Sequence, residues 1–376
     1  GMAVADGGYT TAYGTVALAY GLNSVALGGQ ATAVSFDANA VNWVNGFAAG
    51  LVLSNAGSTA VGTAAVAAGF SATALGSKTI SVGVSSTAVG TGSQALGYEA
   101  TSLGSSSRAE GMSSVALGSS SYAIGTSGTS VGSGAKTLSS GGTAVGASAQ
   151  ANGSYASAFG YSAYANNTGA MALGANANAQ AVNATAIGTN SSASGTNSIA
   201  IGTQATASGA NSLAFGLLAN SSGTNAIAIG SSAYANNTNS LALGSGSQAT
   251  GINATALGAG ASASNANSLA FGSSAQASGI NATAIGSASI ASQANSIALG
   301  SATQATGANA AAIGAGSSAT NTNSLALGSA ATASGTNASA IGSGSLASQS
   351  NTIALGASTQ ATGVNAAAFG ASALAS

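Results

Sequence analysis

The chain has 376 residues, of which only 2% are charged, and its formal net charge is −1. All seven charged residues precede residue 137, so the sequence offers no basic surface for nucleic acid or for an anionic membrane. Cysteine is absent, which excludes a disulfide framework. No run of 18 apolar residues occurs, which excludes a transmembrane helix.

The N-terminal segment, residues 1–61, follows a 14-residue glycine period with one interruption. Gly14 and Gly28 are 14 residues apart, but Gly28 and Gly62 are separated by 34, which is two periods and six further residues. The interrupted stretch, about 30–57, also contains the only tryptophan, Trp43. We expect an inserted loop or a cap there, because the end of a stack of strands has open edges. The alternative is an exposed aromatic contact site at Trp43.

From Gly62 to Gly370 the period is unbroken, with 23 glycines at intervals of 14 residues. A strict short period over this length is typical of one supersecondary unit stacked many times. The apolar positions keep a constant phase relative to the glycine, which a disordered low-complexity segment has no reason to do. We therefore predict an all-β fold, a parallel β-solenoid of 14-residue coils that forms a single elongated domain over residues 1–376.

Each period predicts two strands and two turns. A large apolar residue stands directly before the glycine, and an alanine stands directly before that apolar residue. Ala200, Ile201 and Gly202 are an example. We expect the large residue to fill the coil interior and the alanine to face another copy of the chain, since adjacent strand residues point to opposite sides. A second strand follows the glycine, and a second turn begins seven residues after it, at Gly209, where a left-handed backbone is expected.

Two subfamilies of the repeat divide the periodic region. Residues 62–174 lack asparagine five positions before the glycine, whereas residues 175–376 have it at every coil from Asn183 to Asn365. A column of stacked asparagines is expected to form a hydrogen-bonded ladder. We interpret the change near residue 175 as a change of surface and turn chemistry within one domain.

Residues that support catalysis are scarce. There is no histidine, so none of the serines has a histidine base, and the only carboxylates are Asp6, Asp37, Glu99 and Glu110. Glu99 and Glu110 are best interpreted as a surface pair that flanks Arg108, rather than as a glycosidase pair. We expect no catalytic residue, no metal site and no cofactor.

Several coils carry a shared hexapeptide, with N-S-I-A-I-G at 197–202, N-S-L-A-F-G at 211–216 and N-S-L-A-L-G at 239–244. This repeat resembles the YadA-like head repeat of trimeric autotransporter adhesins. The resemblance implies a left-handed parallel β-roll that forms a homotrimer, carried on a coiled-coil stalk above an outer-membrane anchor. It also implies binding to extracellular matrix protein, host cells, abiotic surfaces or other copies. The candidate binding residues, besides Trp43, are Asn197, Ser198, Asn211, Ser212, Asn239 and Ser240.

The expected function is therefore that of a non-enzymatic bacterial adhesin head, displayed at the cell surface by stalk and anchor regions outside this sequence. The alternative is a self-assembling extracellular fibre or a phage tail-fibre shaft. The expected partners are two further copies of the chain and a matrix protein, a glycan or an abiotic surface. Self-association is a further possibility, and neither nucleic acid nor direct membrane insertion is expected. Scarcity of charge favours apolar, neutral polar or carbohydrate contacts over electrostatic ones.

Overall fold

A computed structural model describes residues 3–6, 10–13, 17–20, 25–27, 31–33, 39–41, 52–54 and 57–376 of the chain. These residues form short β-strands joined by turns, and no helix occurs among them. The chain comprises two compact units, Gly1–Asn190 and Ser191–Ser376, which we call unit 1 and unit 2. Within each unit every coil contributes one strand to each of two sheets.

Sheet 1 of each unit contains the three-residue strands, which from Thr59 onwards end immediately before a period glycine. In unit 1 these strands are Thr11–Tyr13, Val25–Leu27, Asn39–Val41, Thr59–Val61, Thr73–Leu75, Thr87–Val89, Thr101–Leu103, Val115–Leu117, Thr129–Val131, Thr143–Val145, Ser157–Phe159, Met171–Leu173 and Thr185–Ile187. In unit 2 they are Ile199–Ile201, Leu213–Phe215, Ile227–Ile229, Leu241–Leu243, Thr255–Leu257, Leu269–Phe271, Thr283–Ile285, Ile297–Leu299, Ala311–Ile313, Leu325–Leu327, Ser339–Ile341, Ile353–Leu355 and Ala367–Phe369.

Sheet 2 contains the other strand of each coil, which is two residues long from Val66 onwards. In unit 1 these strands are Val4–Asp6, Leu18–Tyr20, Ala31–Ala33, Val52–Ser54, Val66–Ala67, Ile80–Ser81, Gln94–Ala95, Arg108–Ala109, Tyr122–Ala123, Lys136–Thr137, Gln150–Ala151, Tyr164–Ala165 and Asn178–Ala179. In unit 2 they are Ser192–Ala193, Thr206–Ala207, Asn220–Ser221, Tyr234–Ala235, Gln248–Ala249, Ser262–Ala263, Gln276–Ala277, Ile290–Ala291, Gln304–Ala305, Ser318–Ala319, Thr332–Ala333, Leu346–Ala347, Gln360–Ala361 and Leu374–Ala375.

Both sheets are parallel, and in the periodic region each residue pairs with the residue one period later. Ala200 pairs with Ala214 in sheet 1, and Thr206 pairs with Asn220 in sheet 2. Equivalent side chains therefore stack in columns at the strand spacing of about 4.8 Å. This pairing confirms the predicted parallel β-solenoid of 14-residue coils.

The strands between residues 30 and 57 keep their place in the two sheets. Asn39 pairs with Val25 on one side and with Thr59 on the other, while Ala31 pairs with Val52. The additional residues of this interval therefore fall between Val41 and Val52. Trp43 belongs to this stretch and lies outside the described residues.

Each coil turns twice, and both turns have a left-handed residue at their third position. In one coil the turns are closed by hydrogen bonds from Ala205 N–H to the Gly202 carbonyl and from Ser212 N–H to the Gly209 carbonyl, each at 3.2 Å. The third residues, Gln204 and Asn211, have φ of 58° and 56°. Positive φ at this position alone is the pattern of a type II turn. The prediction of a left-handed residue at Gly209 is wrong, because that conformation belongs to the ladder asparagine two positions later.

Alanine fills the interior of the coils. Ala200 on one strand and Ala205 and Ala207 on the other are fully buried, and the largest completely buried side chains among the described residues are threonines. The prediction that the large residue before the glycine points inwards is therefore wrong. Two strands closed by four-residue turns lie too near each other for leucine or phenylalanine, so the alanines face inwards and Ile201 and Phe215 face outwards.

Candidate adhesive surfaces

The outer face of sheet 1 is apolar in both units. Phe215 and Phe271 remain 50% and 47% exposed, although they lie in the middle of a regular sheet. Large apolar side chains exposed on this face are Tyr13, Leu103, Phe159, Met171 and Leu173 in unit 1, and Ile199, Phe215, Leu243, Phe271, Ile297, Leu299, Leu327, Ile353, Leu355 and Phe369 in unit 2. Because equivalent positions stack from coil to coil, they form a contiguous apolar surface within each unit. Such a surface marks an association site in soluble proteins.

From Leu241 onwards, large and small side chains mostly alternate from coil to coil on this face, which gives unit 2 a second period of 28 residues. Three positions before the glycine, Leu241 and Leu269 alternate with Thr255 and Thr283. The alternation extends to the turn and the interior. In the bulky coils the hydroxyl of Ser268 donates to the carbonyl oxygen of Asn265 at 2.6 Å, and the amide of Asn265 donates to the carbonyl oxygen of Ser278 on the next coil.

The intervening coils replace this polar pair with glycine and alanine, as at Gly251 and Ala254. A Cβ on Gly251 would lie 2.0 Å from the carbonyl oxygen of Asn265, so only glycine fits there. The residue types at the turn and in the interior therefore alternate with the same 28-residue period as the outer face.

The predicted asparagine ladder runs along one edge of unit 2. Asn197 donates through Nδ2 to Oδ1 of Asn211 at 3.1 Å, and Asn211 donates in the same way to Asn225 at 3.1 Å. The pattern continues to Asn365 with distances of 3.0 to 3.2 Å. Asparagine fits this column for two reasons. It tolerates the left-handed backbone conformation, and its side-chain amide can both donate and accept a hydrogen bond. The candidate residues Asn197, Asn211 and Asn239 are exposed members of it.

The candidate serines of the same hexapeptides lie inside the coils. Ser198, Ser212 and Ser240 are at most 1% exposed, and the hydroxyl of Ser240 donates to the carbonyl oxygen of Asn237 at 2.6 Å. The Oγ atoms of Ser198 and Ser212 are buried without a hydrogen-bond partner. The hexapeptide therefore presents its asparagine to solvent and its serine to the interior, and the part of either residue in adhesion stays a prediction.

Charged groups gather at one place on the outer face of sheet 2 in unit 1. Arg108 Nε forms an ion pair with Glu110 Oε1, and the guanidinium lies 5.6 Å from the centre of the Tyr122 ring. Tyr122 Oη donates to Glu110 Oε1 at 2.8 Å. That hydrogen bond, together with partial burial and the negative charge of Glu110, raises the pKa of Tyr122, and the positive charge of Arg108 acts in the opposite direction.

Glu99 lies apart from this group and accepts a hydrogen bond from Ser113 Oγ at 3.4 Å. Within the described part of the chain, no three carboxylates come together as metal ligands would. The same residues include no helix with the length and apolarity to span a membrane.

Comparison with known proteins identifies the repeat. The family model for the YadA head domain repeat, which spans two copies, matches residues 19–35, 81–107, 95–121, 109–135, 139–163, 165–191, 193–219, 221–247, 249–275, 277–303, 305–331, 319–345 and 333–359. A search of curated protein sequences returned no match. Among solved structures, the chain is similar to the collagen-binding domain of the Yersinia adhesin YadA. The identity is 22% over 57% of this chain and 67% of that one, with a TM-score of 0.14. The family matches cover most of the sequence, and the chain belongs to the YadA head repeat family.

Proposed function

We propose that this chain is the head of a bacterial surface adhesin, that it assembles as a homotrimer, and that it attaches to matrix protein, glycan or an abiotic surface without enzymatic activity. Membership of the head repeat family supports an adhesive role. The proposal also includes display at the cell surface and the action of residues 1–376 as one head.

The apolar outer face of sheet 1 is the observation that supports assembly into a homotrimer. Rows of half-exposed leucine, isoleucine and phenylalanine would be a liability in a solitary chain, and association of copies through this face would remove them from water. Burial of the exposed half of each large side chain contributes on the order of 1 kcal/mol before the costs of association. The alanine column cannot serve this purpose, because it is already enclosed within the coils.

If sheet 1 is covered by the association of copies, the surfaces left for attachment are the turns and the outer face of sheet 2. No ionisable side chain other than tyrosine occurs after Lys136, so these surfaces offer hydroxyls, amides and small apolar groups. Similar weak sites recur on successive coils, and simultaneous engagement raises avidity without any strong single contact. Binding of this kind lacks the salt dependence of electrostatic contacts.

The test is attachment of the purified protein to matrix protein, glycan and polystyrene surfaces across a range of salt concentrations. Pairs of coils are removed from unit 2, first residues 253–280 and then residues 253–308, so that the 28-residue alternation is kept. The proposal predicts a stepwise loss of attachment and little effect of salt. Trp43→Ala is the comparison variant. Complete loss of attachment in that variant, with full attachment after both deletions, would place adhesion in the N-terminal segment and contradict the distributed mechanism.

A self-assembling shaft is the second candidate, favoured by the absence of charge after Lys136, since like-charge repulsion does not oppose lateral contacts there. Electron microscopy of the same samples distinguishes the two. Discrete particles that attach to a surface support the adhesin, whereas filaments that attach to nothing but each other support the shaft.

A further inference from the structure

Tyr164 and Tyr234 occupy equivalent places in a heptapeptide that occurs twice, S-A-Y-A-N-N-T at 162–168 and at 232–238. The first copy lies in unit 1 and the second in unit 2. In both copies the tyrosine opens a sheet 2 strand, with its side chain on the outer face and the following alanine buried. The tyrosine is thus presented away from the alanine interior.

Each of these tyrosines has a carboxamide side chain in register on both neighbouring coils. Gln150 and Asn178 flank Tyr164. Asn220 and Gln248 flank Tyr234. Side chains paired in this way lie on the same face of the sheet, within contact of one another. Both units therefore carry an aromatic ring between an asparagine and a glutamine.

A further asparagine holds the hydroxyl of each ring. Tyr164 Oη donates to Asn166 Oδ1 at 2.9 Å, and Asn152 Nδ2 reaches the same oxygen at 3.3 Å. In unit 2, Asn236 Nδ2 donates to Tyr234 Oη at 3.3 Å. Each contact joins the tyrosine that opens a strand to the asparagine that directly follows the strand.

The amide oxygens around these rings are incompletely satisfied. Among the described residues, four asparagines have an enclosed side-chain oxygen without a hydrogen-bond partner, and all four belong to these two clusters: Asn152, Asn178, Asn220 and Asn236. An enclosed acceptor without a donor is destabilising, so a partner that supplies a donor would be favoured at these positions. The same deficit occurs at both copies of the heptapeptide. A ligand that brings hydroxyl donors would remove it.

We propose that the two clusters, Tyr164 with its surrounding amides and Tyr234 with its own, are binding subsites for a neutral carbohydrate. The inference rests on the proposed adhesive function and names the ligand class of sheet 2. One face of a pyranose ring carries C–H groups that pack on a tyrosine ring, while its hydroxyls project sideways towards donors and acceptors. Those hydroxyls would supply the donors that the amide oxygens of the clusters lack.

The surroundings favour a saccharide over a peptide. A peptide that adds a strand needs an open sheet edge, but the strands that contain Tyr164 and Tyr234 are paired on both sides. Around Tyr234 a charged ligand would find no opposite charge, because no charged side chain occurs after Lys136. Beside Tyr164 the nearest charged position in the column is Lys136, which pairs with Gln150. Sheet 2 is also on the opposite side of the coil from the apolar face of sheet 1, so both subsites stay exposed when copies associate through sheet 1.

Tyr122 provides a matched control. It occupies the same strand position in sheet 2 of unit 1, but its in-register neighbours are Arg108 and Lys136 instead of amides. Its hydroxyl is held by the carboxylate of Glu110. A tyrosine with charged neighbours lacks the amide donors and acceptors that the proposed saccharide site requires.

The experiment measures binding of the full chain to an array of neutral and acidic glycans and, in parallel, attachment to matrix protein and to polystyrene. The variants are Tyr164→Ala, Tyr234→Ala, the double variant, Asn178→Asp, Asn220→Asp and the control Tyr122→Ala. We expect the wild type to bind neutral glycans, and each single alanine variant to lose about three- to tenfold in affinity, as expected for loss of a ring contact. The double variant is expected to lose both subsites, and Tyr122→Ala to bind as the wild type does. Circular dichroism confirms that each variant keeps its β-structure.

Failure of this inference is distinguishable from failure of the proposed function. Attachment to matrix protein or plastic without any binding to neutral glycans would overturn the carbohydrate subsites and leave the adhesin proposal standing. Equal loss in Tyr122→Ala and in the double variant would also overturn the subsites. Absence of attachment to every surface would contradict the adhesin itself.

Discussion

Gly202 lies so close to the next coil that a Cβ on it would be 2.3 Å from the carbonyl oxygen of Gly216. The same contact recurs along the column of period glycines, since a Cβ on Gly216 would lie 2.5 Å from the carbonyl oxygen of Gly230. Backbone of one coil therefore rests directly on backbone of the next. This close approach explains why the glycine period is unbroken from Gly62 to Gly370, since any side chain would push two coils apart.

Gly202→Ala is expected to destabilise the protein by roughly 3 kcal/mol or more, because the methyl group meets backbone that cannot move independently. Gly246→Ala is the matched control. Gly246 also has positive φ, at 64°, but nothing lies within 4 Å of its added Cβ. That substitution should cost only about 1–2 kcal/mol, from the left-handed backbone alone. Chemical denaturation measures the free energy of unfolding of both variants. Equal losses of stability would show that packing between coils is not what requires glycine at the period position.

Ala270→Leu is expected to disrupt the coil itself, because Ala270 is fully buried between the two sheets. Overpacking of a close-packed interior typically costs about 1–3 kcal/mol. Among the residues that the structure describes, no fully buried side chain is larger than threonine, so the upper end of this range is expected. The control is Ala311→Leu on the outer face of sheet 1, a position where Leu325 stands in the next coil. Thermal unfolding should show a lowered midpoint for Ala270→Leu only. A larger loss for Ala311→Leu would contradict the inward orientation of the alanine column.

Two substitutions at Asn281 separate the functions of the ladder. Asn281→Gly keeps the left-handed backbone and removes the hydrogen bonds to Asn267 and Asn295, each 3.1 Å long. The cost should be about 1 kcal/mol, because both bonds are exposed. Asn281→Ala loses the bonds and also leaves a Cβ in the left-handed region without the asparagine side chain that favours this conformation, which costs roughly 1 kcal/mol more than the glycine variant. Urea denaturation gives the two values. An alanine variant as stable as the glycine variant would show that the left-handed backbone does not restrict the residue type at position 281.

The ionisation of Tyr122 tests the charged cluster. Its pKa is raised, chiefly by the hydrogen bond to Glu110, so the neutral phenol is favoured in the folded protein. The stability that this provides is complete below the ordinary pKa of tyrosine and is lost as the pH rises through the raised value. Glu110→Gln should bring the pKa of Tyr122 down towards the ordinary value, and Glu99→Gln should leave it in place. Carbon-13 NMR of labelled tyrosine follows the titration, and a pKa unchanged by Glu110→Gln would contradict the assigned cause.

The sequence predicted the strands and turns of the coil well, but it predicted poorly which side chains point into the coil. Spacing alone indicated that Ile201 and Ala200 face opposite sides of a strand. It also predicted an asparagine ladder from Asn183 to Asn365, and the bonds between Asn197 and Asn365 confirm it for unit 2. Which side faces inwards depends on the distance between the two strands of a coil, and that distance is set by turn geometry. Hydrophobicity favoured the isoleucine for the interior, but the narrow coil admits only small side chains. The sequence likewise marked the second turn at Gly209, while the left-handed residue is the asparagine that follows two positions later.

The amide clusters around Tyr164 and Tyr234 were also missed. The repeated heptapeptide was visible, but its meaning depends on in-register neighbours one period away, such as Asn178 and Asn220. Comparison of residues 14 positions apart would have shown both tyrosines between carboxamides, and Tyr122 between two cations. The unpartnered amide oxygens, in contrast, depend on side-chain geometry that no spacing rule provides.

Sedimentation equilibrium of the wild type and of two aspartate variants tests the central claim, that copies associate through the apolar face of sheet 1. Phe271→Asp places a charge on that face, and Gln276→Asp places one on the outer face of sheet 2 in the same coil region. The account predicts a mass of three chains of 34.1 kDa each for the wild type and for Gln276→Asp, and weakened assembly for Phe271→Asp. A folded wild-type chain that sediments as a monomer at micromolar concentration, or a trimer that only Gln276→Asp dissociates, would contradict it.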